Sequence, residues 1–193
     1  MISMPRLVSP VVAAGRLARL KQPVLAGDGF VLRPWRAEDT PVVAAAYQDP
    51  GIQLWHARSL SLEEAAAWVA HWPGRWRAET GAGWAMADDE VLGQISLRTV
   101  ELAEGLAEIS YWVLPAARGR QLAARALRVL SGWAFDVVGL HRIEVQHSTR
   151  NAASCRVAER AGYPVEGTKR SQALHADGWH DMHLHARLAG DPR

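Results

Sequence analysis

The chain has a single cysteine, Cys155, so no intrachain disulfide can form; this fits a reducing compartment, with Cys155 expected as a small buried apolar side chain. Lysine is almost missing as well. Of 22 basic residues only Lys21 and Lys169 are lysines, the rest are scattered arginines, and a pI near 9.0 goes with a net charge of only +2. No basic helix or RNA-binding strand motif accompanies them, so nucleic acid is not an expected partner. The arginine-, alanine- and glycine-rich usage fits a GC-rich, bacterial coding genome. Long hydrophobic runs are also lacking. No stretch approaches the roughly eighteen apolar residues of a membrane span, and the early run at residues 11–14 is too short for a signal-peptide core. The expected location is therefore the cytoplasm, with no membrane partner.

What is present is enough for one core: 193 residues, 49% of them hydrophobic, with nine tryptophans. Residues 1–23 carry Arg6, Arg16, Arg19 and Lys21 without an acid and are interrupted by Pro5, Pro10 and Pro23. They read as a flexible or docking extension ahead of a single domain over residues 24–190. In that domain the first strand is expected at 30–35, closed by Pro34. Thr40-Pro41 starts a short helix that Asp49-Pro50-Gly51 terminates, and the capping-box spacing of Ser61 and Glu64 starts a second, which Pro73-Gly74 stops or kinks. Strands at 84–87, 91–100 and 107–114 form an antiparallel meander. A long helix ends at Gly139; then come a strand at 142–147, a helix at 152–161 capped by Gly162, and a final hairpin around Asp177-Gly178. The strands before and after the long helix should be parallel neighbours joined by a right-handed crossover.

The most specific stretch is residues 111–135, YWVLPAARGRQLAARALRVLSGWAF. An apolar strand is broken by Pro115, and apolar residues then recur at Leu122, Ala126, Leu127, Leu130, Trp133 and Ala134 with the spacing of a buried helix face. The helix should begin near Gln121. Its first amides lack intrahelical acceptors and point out beside Arg118 and Arg120, so this turn reads as an anion cradle for a phosphorylated ligand.

These residues together resemble the GCN5-related N-acetyltransferases (GNAT), in particular the branch of ribosomal-protein alanine and serine N-terminal acetyltransferases. The resemblance covers residues 30–188 and rests on VLRPWRAED, AEISYWVLPAARGR, GLHRIEV, RNAASCRVAERAGY and GWHD in that order. It implies an α/β (α+β) fold, with a mixed central sheet of about seven strands, an antiparallel meander leading into a splayed parallel pair, and about four helices. It also implies acetyl-coenzyme A as co-substrate, no metal, and a small-molecule amine or a protein N-terminus as acceptor, with a monomer or homodimer expected.

The family's pyrophosphate pattern falls on Arg118, Gly119, Arg120, Gln121, Leu122, Ala123 and Ala124, with Gln121 standing where the pattern has glycine. That departure matters because the glycine tolerates unusual dihedrals and lets backbone amides come close to the phosphates. The backbone of Tyr111, Trp112 and Val113 matches the splayed strand that receives the pantetheine arm, and one N–H there would stabilise the oxyanion. Asn151 and Ser154 match cofactor-contacting positions, and Ser154 is the candidate general acid because the tyrosine that many members carry seven residues after the asparagine is Ala158 here. With Gln121, that substitution also motivates the alternative of a catalytically weak acyl-CoA-binding protein or sensor.

Acyl transfer needs a neutral amine, so a proton acceptor is required, and a carboxylate in a partly dry cleft serves well. Glu108 and Glu144, in neighbouring central strands, are the candidates; a structural ion pair with Arg98 or Arg142 is the competing explanation. Trp55, His56 and Trp68 are candidates for the acceptor wall. His175, His180, His183 and His185 crowd the final hairpin, with His183 and His185 on one strand face, but no cysteine stands near them in sequence and no metal is expected. His180 and Asp181 read as packing and turn residues.

Overall fold

The structure is a computed structural model and describes residues 7–192; residues 1–6 of the expected extension lie outside them. Eight strands form one sheet, in the order β1-β2-β3-β4-β5-β6-β8-β7. They are β1 (Leu25–Gly27), β2 (Phe30–Pro34), β3 (Ala82–Ala87), β4 (Val91–Glu101), β5 (Leu106–Val113), β6 (Arg142–Ser148), β7 (Val165–His175) and β8 (Gly178–Leu188). The fold is the expected mixed α/β one with a slightly larger sheet, because β1 adds an edge strand; the final hairpin joins through β8, which lies between β6 and β7. All neighbours are antiparallel except β5 and β6.

Six α-helices stand among the described residues: α1 (Thr40–Ala46), α2 (Pro50–His56), α3 (Leu62–Ala70), α4 (Trp72–Arg77), α5 (Leu122–Trp133) and α6 (Ala152–Arg160). Two exceed the sequence expectation of about four, for one reason: proline in sequence reads as a stop or kink. Pro50 and Pro73 instead occupy the first turns of α2 and α4, where a missing N–H costs nothing. Asp49 is the cap of α2, accepting from the Ile52 N–H at 3.0 Å. The Ser61–Glu64 capping box forms as the spacing predicts.

The alternation of β5 divides two cores. Ala107 and Ile109 face a large apolar cluster with Leu122, Ala126, Leu127 and Leu130 of α5, while Trp112 packs with Val43, Ala46, Ile52, Ala65 and Val69 of α1, α2 and α3. Helices thus cover both faces of the sheet. The first core extends to residues 11–20. Leu17 is fully buried, Trp76 and Trp84 donate their indole N–H groups to the Leu20 and Pro23 carbonyls, and the Glu79 carboxylate accepts from the amides of Gly15, Leu17 and Ala18.

Strand β2 is tied to the helical layer by the VLRPWRAED segment. Arg33 forms a two-pronged pair with Asp39, at 2.7 and 2.8 Å, and Asp39 also accepts from the Arg36 N–H at 2.9 Å. Arg33 and the backbone amide together hold the Asp39 carboxyl below its usual value even though burial opposes this.

Candidate active site

The parallel ladder between β5 and β6 is short. Its partners run only from Leu106–Arg142 to Ile109–Val145, although β5 continues to Val113 and β6 to Ser148. Beyond Ile109 the strands therefore diverge, which leaves a gap in the middle of the sheet. Two cavities open at it.

The first, about 390 Å³, lies between the far end of β5, the N-terminus of α5 and the first turn of α6. It contains Tyr111, Trp112, Val113, Arg118, Gly119, Gln121, Leu122, Ala123, Asn151 and Ser154 of the sequence candidates; Arg120 and Ala124 are not in its wall. Arg120 is exposed, and Ala124 points into the core. Arg118 does not stand free as the cradle reading expects. Its Nη2 donates to Asp49 Oδ1 at 2.8 Å and its Nε to the Val113 carbonyl at 3.2 Å, which locks the turn to the N-terminus of α2. Gly51 makes room for this contact, since a Cβ there would lie 3.3 Å from Arg118 Nη1.

The cradle itself carries two left-handed residues, Gly119 at φ 82° and Gln121 at φ 54°, ψ 19°. Gln121 is thus in the conformation that favours glycine, not in a helical one. The strain is local, and the amides of Leu122, Ala123 and Ala124 still head a twelve-residue helix with no side-chain cap.

The second cavity, about 560 Å³, lies beneath α2, α3, α4 and the end of β7 and reaches the start of α6. Trp55, His56 and Trp68 line it, as do Tyr47, Gln94, Ser96, Ser110, Gln146 and His175. Three arginines, Arg58, Arg75 and Arg98, also stand in the wall, and no carboxylate does among the described lining residues. Arg98 occupies the bulge where the β4–β5 register shifts between Leu97 and Thr99, a device that redirects a strand side chain. Arg75 is desolvated and donates to the carbonyls of Thr80 and Arg98. Burial, reinforced by the nearby cations Arg58 and Arg98, pushes the His56 imidazole down to about 4 against a hydrogen bond to the Tyr111 backbone, so the ring is neutral at pH 7.

Both cavities share Trp55, His56, Tyr111, Asn151 and Ser154. At this junction Tyr111 Oη and Ser154 Oγ are 2.7 Å apart. The sequence assigned Tyr111 through its backbone alone; its phenol was missed because strand parity aims it through the gap at α6. Burial pushes that phenol well above its usual value, so it stays protonated. Asn151 caps α6 by accepting from the Ser154 N–H at 3.0 Å, which fixes the serine at the junction.

The two carboxylate candidates face each other as register partners on β5 and β6. Neither lines either of these two cavities. Glu108 pairs with Arg98 at 3.2 Å; Glu144 pairs with Arg142 at 2.8 Å, and Arg142 also holds Glu166. Ser110, two residues beyond Glu108 on the same face, does line the second cavity. His180 is buried between Ser148 Oγ and Asp177 Oδ1, and Asp181 accepts from the Ser171 amide, which are turn and packing roles. His183 and His185 face His147 and Cys155 across the sheet.

A family model described as "Acetyltransferase (GNAT) domain" matches residues 30–164. A probable N-acetyltransferase, YjcK, of Bacillus subtilis is 34% identical over 106 residues, which are 54% of this chain and 59% of that protein. The ribosomal-protein-serine acetyltransferase of Escherichia coli is 30% identical over 101 residues, 52% and 56% of the two chains. The match thus spans little more than half the length of these curated relatives. In three dimensions the chain is similar to RimL, a ribosomal L7/L12 alpha-N-protein acetyltransferase solved with coenzyme A (TM-score 0.80, 18% identity, 86% of this chain and 98% of that one). It is also similar to the microcin C7 self-immunity acetyltransferase MccE solved with acetyl-CoA and AMP (TM-score 0.75, 15% identity, 83% and 93%). At these identities the likeness is one of fold.

Proposed function

The chain belongs to the acetyltransferase (GNAT) domain family, and from that premise we propose that it transfers the acetyl group of acetyl-coenzyme A to a primary amine. The observation that carries this reading is the junction itself: two cavities that open at the split in the sheet share Tyr111 and Ser154. A thioester reaching in from one side and an amine from the other would come together there. The residues fit such a ligand. The free amides at the start of α5 suit a diphosphate, with Arg118 bracing the turn through Asp49, and the apolar wall of Trp112, Val113, Ala117 and Val157 suits a pantetheine arm.

In this scheme the amine nitrogen attacks the thioester carbonyl, and a backbone N–H of the splayed part of β5 stabilises the oxyanion. The intermediate then collapses to amide and thiolate. Ser154 Oγ, held by the protonated Tyr111 phenol, gives its proton to the departing sulfur and is resupplied from solvent through the cavity. The ammonium proton leaves by water held along Ser96 and Ser110 toward Glu108, since no carboxylate stands in the wall itself. We take Glu144, clamped by Arg142, as the lesser candidate.

The acceptor is a protein N-terminal alanine or serine, or a small amine. RimL and the E. coli relative, named for ribosomal proteins, support the former, and the enclosed aromatic wall of Trp55, His56 and Trp68 supports either. Arg58, Arg75 and Arg98 disfavour a polyamine and favour an amine with an anionic neighbour. A second reading, a weak acyl-CoA-binding protein, is favoured by the lack of a carboxylate in the described wall. Thiol release from acetyl-coenzyme A over a panel of N-terminal peptides and amines separates the two. The enzyme reading predicts turnover with at least one acidic Ala- or Ser-initiated peptide, and a fall in kcat of about 100-fold in Glu108→Gln with the KM for acetyl-coenzyme A unchanged. Binding without turnover across the panel would favour the sensor.

A further inference from the structure

Behind the junction, on the α6 side of the sheet, four side chains with nitrogen or sulfur donors converge. His147 lies on β6, His183 and His185 on β8, and Cys155 on α6, and one donor atom from each lies within 4.8 Å of all the others. The register explains the grouping. His147 and His183 are cross-strand partners, His185 follows on the same face, and α6 lays Cys155 over them.

The protonation pattern of the rings points inward. His147 Nδ1 is 2.8 Å from the Ser148 carbonyl and His185 Nδ1 is 2.9 Å from the Tyr163 carbonyl. A carbonyl only accepts, so each Nδ1 carries the hydrogen and each Nε2 of the neutral ring presents a bare lone pair. His147 is 5% exposed and its Nε2 has no partner; His185 is fully buried and its Nε2 meets only the Cys155 sulfur, at 3.8 Å. His183 Nδ1 is likewise buried without a partner. Lone pairs facing one another in a buried pocket, with one weak S–H donor among them, lack the electron-poor centre that would satisfy them. The carbonyl contacts are the outer-shell bonds that fix the tautomer of a ligating histidine.

We propose that His147, Cys155, His183 and His185 form a four-ligand site for a zinc-class divalent ion, which clamps α6 to β6 and β8. Three imidazoles and a thiolate suit zinc and exclude magnesium and calcium, which need oxygen ligands. Tetrahedral zinc holds such donors roughly 3.3–3.7 Å apart, so the cluster closes by about 1 Å through side-chain rotation. Binding takes the cysteine as thiolate, with its proton leaving to solvent. Glu159, whose Oε1 is 3.7 Å from the sulfur, competes for that thiol. His147 also lines the acceptor cavity, which gives the ion an entry path. In sequence no cysteine accompanies these histidines and the family resemblance implies no metal; Cys155 lies 28 residues before His183, and only the fold unites them.

The test uses the full-length, tag-free protein, stripped with chelator and titrated with Zn²⁺ alone and with Co²⁺ alone. The expected result is one equivalent of either ion, a higher thermal midpoint with Zn²⁺, and a Co²⁺ spectrum with intense tetrahedral bands and a thiolate charge-transfer band. Cys155→Ser, at a partly exposed position, removes that band, and His147→Gln weakens zinc binding more than about 100-fold. His141→Gln, at an exposed histidine outside the cluster, retains full stoichiometry. Far-UV circular dichroism verifies that each variant is folded. Failure to take up a stoichiometric ion, or a cobalt spectrum unchanged by Cys155→Ser, would overturn the site whatever the protein's acetyl-transfer activity.

Discussion

Gln121 shows how much one backbone angle can hide in a sequence. The family pattern has glycine at this position, and the glutamine reads as a loss; in the fold it takes φ 54° and leaves the helix start intact. A left-handed non-glycine residue costs about 1–2 kcal/mol, against a smaller entropic cost for glycine. Gln121→Gly should therefore stabilise the protein by about 1 kcal/mol in urea denaturation; a destabilised variant would mean that the side chain, which lines the cavity at the start of α5, makes a contact worth more than the strain. Other residue-level roles were beyond the sequence. The phenol of Tyr111 and the convergence of Cys155 on three histidines depend on which strand lies beside which, and β8 reaches β6 only by inserting between it and β7. Glu108 and Glu144 were legible as same-face neighbours, but their separation from the cavity was not, because the bulge that carries Arg98 leaves no trace in residue spacing.

Among the elements, those with strong periodicity or caps were readable: α3 from its capping box, α5 from its apolar stripe, and the β5-turn-α5 unit from both. The short helices α2 and α4 were not, since proline at a first turn and proline at a stop look alike in sequence. The Arg33–Asp39 pair shows what a charged motif does for its elements. It binds β2 to the turn Ala37–Asp39 that leads into α1, with both side chains largely out of water at 13% and 5% exposure. Asp39→Ala leaves the guanidinium buried and unpaired and should cost about 3–5 kcal/mol, whereas removing both charges with apolar residues should recover most of it. The same pair contributes to acid sensitivity. The folded Asp39 carboxyl lies below its ordinary value of 3.8, so its contribution is fully present above that value and is lost as pH falls through the lower, folded one. Acid unfolding should lose that component in the doubly apolar variant; an identical acid limb would contradict the assignment.

At the scale of the whole molecule, one sheet is split by a parallel pair whose ladder ends at Ile109 and Val145, and everything proposed about function follows from the gap beyond. Helix α5 brings free amides to one side of it, α2, α3 and α4 wall the other, and α6 places Ser154 between them. No helix among the described residues is long and apolar enough to cross a membrane. The most direct test of this account is calorimetric titration of the protein with acetyl-coenzyme A, repeated in the presence of coenzyme A. One saturable site per chain, with coenzyme A competing for it, is the predicted result; no heat and no competition would contradict the central claim that the split sheet is an acetyl-coenzyme A site.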